Sequence, residues 1–237
     1  RIARFSLYWN RFRLTFWHKG VLGQGYKIPF IKVPQLRGQT QTPLHGEYKD
    51  VLLDEVDSLL GKGAIRPVSS TDAQSGFYST YFLVPKKTGD LRPSLNLKPI
   101  NGQVKVDKFK METLASVITS INPGVWLAAI DLKDAYFHVP IHPVSQKYLR
   151  FKILGQAYQY QVLPFGLSTS PRTFTKMLAP VIAHVRMLGI QIFPYLDDIL
   201  IVARDPESLS VHIQQTIQVL ESAGYVINLA KSSLSPS

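Results

Sequence analysis

The sequence predicts an α+β domain organised around antiparallel sheet, and three observations lead there. Apolar runs of strand length alternate with amphipathic helical stretches in mixed order, without the regular strand-helix rhythm of a parallel sheet. No segment repeats another. Two apolar stretches run into aspartate: Trp126-Leu-Ala-Ala-Ile-Asp131, and Ile190-Gln-Ile-Phe-Pro-Tyr-Leu followed by Asp197-Asp198 and then Ile199-Leu-Ile-Val-Ala203. The second reads as a strand-turn-strand hairpin with two carboxylates at its tip.

At 237 residues the chain can bury a sizeable core. Its 45% hydrophobic and 18% charged residues exclude a disordered acidic segment, and no apolar run approaches the roughly 20 residues that cross a bilayer. There is no cysteine, which removes disulfides, cysteine-ligated zinc, iron-sulfur clusters and a thiol nucleophile. The net charge of +11 is uneven: residues 1–46 carry eight Lys or Arg and no acid, leaving a surplus of three over the remaining 191 residues.

That arm, Arg1-Ile-Ala-Arg-Phe-Ser-Leu-Tyr-Trp-Asn-Arg-Phe-Arg-Leu-Thr-Phe-Trp, interleaves cations with aromatics. Two readings stand level: phosphate contact with base stacking, or an aromatic packing layer with solvated Arg outside. Opening on Arg and poor in Ser, the arm fits a transit peptide less well and looks like a cut from a longer reading frame. Residues 20–43, rich in Gly, Pro, Gln and Thr, read as an extended connector with one short strand at most.

From Leu44 a helical pattern begins, with Val51, Leu52, Glu55, Val56, Leu59 and Leu60 on one stripe and Gly61 and Gly63 closing it. Thr80-Tyr-Phe-Leu-Val-Pro85 and Leu91-Arg-Pro-Ser-Leu-Asn-Leu97 flank Lys86-Lys-Thr-Gly-Asp90 as a hairpin with a basic tip. A helix is expected over 111–121, then the strand ending at Asp131, read as buried. Two strands follow around Gly155-Gln156. Ser170-Pro171 starts a long core helix that Pro180 should kink or split. Asp205-Pro206 starts another, ended by Gly224, and a strand Tyr225-Val-Ile-Asn228 and Lys231 come last.

Carboxylates placed among apolar strands need a cation, because burying one unpaired costs several kcal/mol. Hard oxygen donors suit magnesium. Three acids at strand ends, with a basic hairpin, describe phosphoryl-transfer chemistry on two metal ions roughly 3.5–4 Å apart. Pleat alternation makes Asp197, at the turn, the main ligand and Asp198 the more peripheral. A solvated hairpin turn is the competing reading of the doublet taken alone.

Tyr195-Leu-Asp-Asp198 resembles the Tyr-x-Asp-Asp signature of reverse transcriptases. Ile130-Asp-Leu-Lys-Asp-Ala-Tyr-Phe137 is similar to their first palm motif, and Leu163-Pro-Phe-Gly-Leu-Ser-Thr-Ser-Pro171 to the motif between. Order and separation match over roughly residues 44–237. Tyr158-Gln-Tyr-Gln-Val-Leu-Pro-Phe-Gly166 with Ser170-Pro-Arg-Thr-Phe174 most resembles retrotransposons of the DIRS type, which use a tyrosine recombinase, with gypsy-like and hepadnaviral enzymes further off.

The resemblance implies a right-hand polymerase: residues 1–43 as basic aromatic arm and connector, 44–125 as fingers, and 126–237 as a palm whose antiparallel sheet is backed by helices. Thumb and ribonuclease H would follow in a polyprotein. It implies RNA-directed DNA synthesis from dNTPs on an RNA and DNA template-primer, with two Mg²⁺ ions (Mn²⁺ as substitute), inside the cell and without membrane attachment. Asp131, Asp197 and Asp198, with the Leu132 carbonyl, become the metal ligands.

Lys86, with Lys87 beside it, and Arg92 become the triphosphate clamp. Tyr136 becomes the steric gate against a 2′-hydroxyl, with Asp134, Ala135, Phe165 and Gly166 around the nucleotide. Lys231 becomes the proton donor to pyrophosphate. Tyr136 as a core tyrosine and Lys231 as a solvated one are the plain alternatives, and His138 and His142, lacking ligand spacing, read as structural. Asn96 and Lys98 stand where the family commonly has Asp and Arg, which suggests weakened nucleotide binding. Two other functions remain open: an inactive or domesticated nucleic-acid-binding relic, and an RNA-synthesising polymerase, which Tyr136 disfavours.

Overall fold

The computed structural model describes residues 1–195 and 197–234, leaving aside the Leu114 side chain; Leu196, within the Tyr-Leu-Asp-Asp motif, lies outside the described residues. In chain order the elements are α1 (Ser6–Trp9), α2 (Phe16–Gln24), α3 (Tyr48–Gly61), β1 (Ile65–Pro67), β2 (Tyr81–Pro85), β3 (Leu91–Leu95), α4 (Lys98–Asn101), α5 (Leu114–Thr119) and β4 (Trp126–Asp131). Then come α6 (Pro143–Gln146), β5 (Arg150–Ile153), β6 (Gln156–Tyr160), α7 (Ser170–Met187), β7 (Gln191–Tyr195), β8 (Asp198–Ala203) and α8 (Pro206–Ser222). All strand pairings are antiparallel, in sheets ordered β1-β6-β5, β2-β3 and β4-β8-β7. The α+β expectation holds.

The chain forms two compact units, each discontinuous in sequence: residues 1–23, 107–138 and 171–237, and residues 24–106 and 139–170. Boundaries at 44 and 126 cut across both, because the chain leaves each unit and returns to it.

In the first unit β8 is the central strand, with Ile199, Ile201 and Val202 buried. The expectation of a buried β4 needs correction. Ala128 and Ile130 are buried, but Trp126 and Leu127, which point to opposite faces at the start of the strand, are 36% and 37% exposed, so burial sets in only toward the Asp131 end. Its outer edge is covered by the segment expected to be a strand at 225–228. That segment instead makes the single bridge of Leu132 with Ile227; the chain then bulges and pairs again at Ala129 with Ser233.

Pro180 does not split α7. Proline has no N–H for the carbonyl four residues back, Lys176, and His18 supplies the donor: its Nε2 bonds Lys176 O at 2.7 Å while its Nδ1 faces Thr15 Oγ1 at 2.7 Å. The N-terminal arm takes the packing role. Ile2 and Trp9 are fully buried, Phe12 nearly so, and Trp9 Nε1 donates to Ala223 O at 2.8 Å, while Arg4, Arg11 and Arg13 stay exposed. α8 is capped by Asp205, whose carboxylate accepts from Ser208 N. It ends at Gly224, whose φ of +99° and approach to Phe5, 2.6 Å from a built Cβ, leave no room for a side chain.

The second unit contains α3, whose Leu52, Val56 and Leu59 are buried. It also holds the β2–β3 hairpin and the β5–β6 hairpin turning at Leu154-Gly155, both at positive φ. The helix expected over 111–121 is confined to α5, started by a capping box between Thr113 and Ser116. The 20–43 connector begins as the last turns of α2 and then makes only isolated bridges.

Candidate active site

The first unit gathers three of the expected acids at one end of its sheet. The β4–β8 register pairs Ile130 with Ile199 and Asp131 with Asp198, so the buried isoleucine pair anchors the two strands where the carboxylates emerge. Tyr195 pairs with Asp198, which places Asp197 in the turn between β7 and β8. Cross-strand register therefore puts Asp198, expected from pleat alternation to be peripheral, directly opposite Asp131.

Like charges opposite one another are unfavourable unless something holds them. Asp197 is raised above the usual carboxylate range by desolvation and then by the charge of Asp131; Asp198 is raised by desolvation, then by Asp131 and Asp197. Among the described residues none of the three forms an ion pair with Lys, Arg or His. No preformed cluster of three or more His, Cys, Asp or Glu with metal-binding geometry exists among them either. The donor chemistry still fits a hard divalent cation: three carboxylates, of which Asp197 and Asp198 are raised above the usual carboxylate range.

The backbone of Asp131 is held on both sides. Its N–H donates to Ser232 Oγ at 2.9 Å, its carbonyl accepts from Asn228 N at 2.8 Å, and Ser232 Oγ donates to Asn228 O at 2.7 Å. Lys133 N–H donates to Val226 O, so the flanking residues make the bonds of the Leu132–Ile227 bridge and the Leu132 carbonyl is not used by it. Lys231 lies in the same bulge; its N–H donates to Asn228 Oδ1 at 3.3 Å and its side chain is exposed.

Tyr136 stands on a 3-10 turn, Ala135–His138, entered through Asp134 at a φ of +47°, an uncommon conformation for a residue with a side chain. Its ring packs edge-on against Phe174 with centroids 5.7 Å apart. Burial raises its hydroxyl pKa and the Asp197 charge raises it further, which ties Tyr136 electrostatically to the acids. Ala135 is buried, its carbonyl bonded by His138 Nδ1 at 2.9 Å. His138 Nε2 accepts from Val226 N at 3.1 Å, and His142 Nδ1 accepts from Val144 N at the start of α6, so both histidines serve the backbone.

The second unit holds the expected cations and the Phe165 loop. Lys86, Lys87 and Arg92 are exposed on the β2–β3 hairpin, whose tip is closed by Lys86 N to Asp90 O at 2.6 Å and Gly89 N to Lys86 O at 3.0 Å. Phe165 is 47% exposed and Gly166 has a φ of +96°. Asn96 Oδ1 accepts from Lys98 N at 3.2 Å, a local turn whose acceptor an Asp would also supply. Sequence reasoning missed Asn101, Asn228, Ser232 and the bonds of His138. A polar turn was legible in Asn228-Leu-Ala-Lys-Ser-Ser233; its distant partner was not.

A sequence profile described as "Reverse transcriptase (RNA-dependent DNA polymerase)" matches residues 84–236. The Transposon Tf2-3 polyprotein of Schizosaccharomyces pombe is 26% identical over 208 residues, 88% of this chain and 14% of that polyprotein, so the chain spans about a seventh of the relative's length. Among solved structures, native prototype foamy virus protease-reverse transcriptase is 26% identical with a TM-score of 0.69, covering 87% of this chain and 27% of its own. The foamy viral enzyme in complex with RNA/DNA hybrid is 20% identical with a TM-score of 0.73, covering 97% and 33%, and shows the shared fold. With the profile matching well over half of its length and the paired aspartates at the expected strand ends, the chain belongs to the reverse transcriptase (RNA-dependent DNA polymerase) family.

Proposed function

We propose that this chain is the fingers and palm portion of a retroelement's RNA-directed DNA polymerase, joining dNTPs to a primer 3′-hydroxyl on an RNA and DNA template-primer. The observation that carries the reading is the register setting Asp131 opposite Asp198 with Asp197 beside them, three acids with no cation partner among the described residues. Asp131, Asp197 and Asp198, with the Leu132 carbonyl, hold two Mg²⁺ ions, for which Mn²⁺ can substitute. Held there, such ions would supply charge stabilisation for an in-line phosphoryl displacement.

Lys86, Lys87 and Arg92 bind the triphosphate by charge-assisted hydrogen bonds. Nucleotide-binding roles go to Asp134, Ala135 and Tyr136 in the first unit, with Tyr136 excluding a 2′-hydroxyl, and to Phe165 and Gly166 in the second. Lys231, in the bulge that brackets Asp131, delivers a proton to pyrophosphate. The polyprotein setting, with thumb and ribonuclease H segments, and the DIRS-type affinity carried by Tyr158–Gly166 belong to this proposal too.

A primer-extension assay on primed RNA tests it. Asp131→Asn or Asp197→Asn removes extension while the fold persists, and extension that survives either change refutes the reading. Independently of turnover, Mg²⁺ at about 100 times its dissociation constant should add roughly 2.7 kcal/mol to wild-type stability. That increment shrinks in Asp131→Asn; equal stabilisation of both proteins removes the metal assignment. Template-primer binding without incorporation would favour the relic reading.

A further inference from the structure

The loop carrying Phe165 and Gly166 is held from outside by one side chain. Asn101, the last residue of α4, donates from Nδ2 to the Gly166 carbonyl at 2.8 Å and accepts at Oδ1 from the Ser168 N–H at 2.8 Å. A carbonyl can only accept and an amide N–H only donate, so the two partners fix the orientation of the carboxamide. The same loop lies close to β3: a Cβ built on Gly166 would stand 3.4 Å from Leu95 O and 3.9 Å from Leu97 Cδ1. Asn96, bonded to Lys98 N, fixes the turn from β3 into α4, and Ser170 Oγ closes the far end of the loop on Pro164 O at 2.7 Å. All of these groups belong to the second unit.

We propose that Asn101 is a positioning residue for nucleotide binding, its carboxamide locking the Phe165–Gly166 loop to the base of the β2–β3 hairpin so that the ring and the hairpin cations meet a nucleotide as one preorganised body. The proposal rests on the polymerase reading above. Rigidity of this kind acts by lowering the ordering cost of binding and adds no contact of its own. A dual donor and acceptor is required. Aspartate keeps the acceptor for Ser168 but sets a carboxylate against the Gly166 carbonyl, and leucine loses both bonds.

The test uses the full chain bound to a dideoxy-terminated primer on an RNA template with Mg²⁺, so that a dNTP can bind without reacting. Wild type is compared with Asn101→Asp and Asn101→Leu. Nucleotide affinity of the primed complex should fall roughly tenfold in both variants, while affinity for the template-primer itself stays within about twofold. Hydrogen exchange of the Ser168 amide should accelerate in Asn101→Leu and remain slow in Asn101→Asp. On an extendable primer the nucleotide KM should rise with kcat nearly unchanged.

Equal nucleotide affinity in wild type and Asn101→Asp overturns the proposal and leaves the polymerase reading intact. A wild type that binds the template-primer but takes up no nucleotide overturns both. The nearly isosteric aspartate variant carries the test alone should the leucine variant not fold.

Discussion

His138 is neutral because its neighbours allow nothing else. Nδ1 must donate to the Ala135 carbonyl and Nε2 must accept from Val226 N–H, so a second ring proton would face a donor. Burial lowers its pKa from 6.5 to about 4; the Ala135 bond and Asp134 pull upward, and the N-terminal ammonium pushes down. The folded state thus binds fewer protons than the unfolded one between these values. The stabilisation is fully present above pH 6.5 and is lost as pH falls toward 4, amounting to about 3 kcal/mol. Urea unfolding at pH 7 and pH 4.5 should show most of this loss in wild type and little of it in His138→Gln. An unchanged pH dependence in the variant would remove His138 as the cause. Asp197 and Asp198, raised in the fold, work in the opposite sense: their repulsion is relieved on acidification, so only the difference between the two proteins isolates the histidine.

In α7 a proline defect and a remote histidine compensate each other. Pro180 leaves the Lys176 carbonyl without its helical donor, and His18 Nε2 fills that place. His18→Ala should cost about 1–3 kcal/mol in wild type, where it orphans a partly buried carbonyl, and clearly less in a Pro180→Ala background, where an N–H returns. A double-mutant cycle of thermal or urea stabilities measures the coupling, and strict additivity would show that the two are unrelated. The β7–β8 hairpin and β4 show the converse case. Isoleucines packed across the strands stabilise the very end at which the register sets two carboxylates face to face, a local conflict of the kind expected at a functional site.

The units are interleaved in sequence, and this has a consequence for dissection. Residues 1–23 belong with 107–138 and 171–237 through buried Ile2, Trp9 and Phe12, the Trp9–Ala223 bond, and the edge contact of Phe12 with His184 at 5.1 Å. Burial of three such side chains contributes roughly 1.5–3 kcal/mol each, a large part of the marginal stability of a domain. A fragment of residues 126–237 should therefore lack a cooperative urea transition and fixed near-ultraviolet dichroism. A sharp transition with an m-value suited to its length would mean that the arm is dispensable.

Local periodicity and turn chemistry carried much of this protein. The α+β class, the basic β2–β3 hairpin, α8 between Asp205 and Gly224, and the acids at strand ends were all legible, because each depends on neighbours a few residues away. The motif resemblance supplied the chemical roles proposed for these groups. The pairing of Asp131 with Asp198, the grip of Ser232 on Asp131 from 101 residues away, the His138–Val226 bond across 88 and the Asn101 clamp across 65 follow no period. Those contacts, and the docking of Trp9 on Ala223 across 214 residues, were decided by packing alone. A hydrogen bond between distant segments depends on where the chain reverses and which faces are buried together, and neither is written in the spacing of the residues that make it.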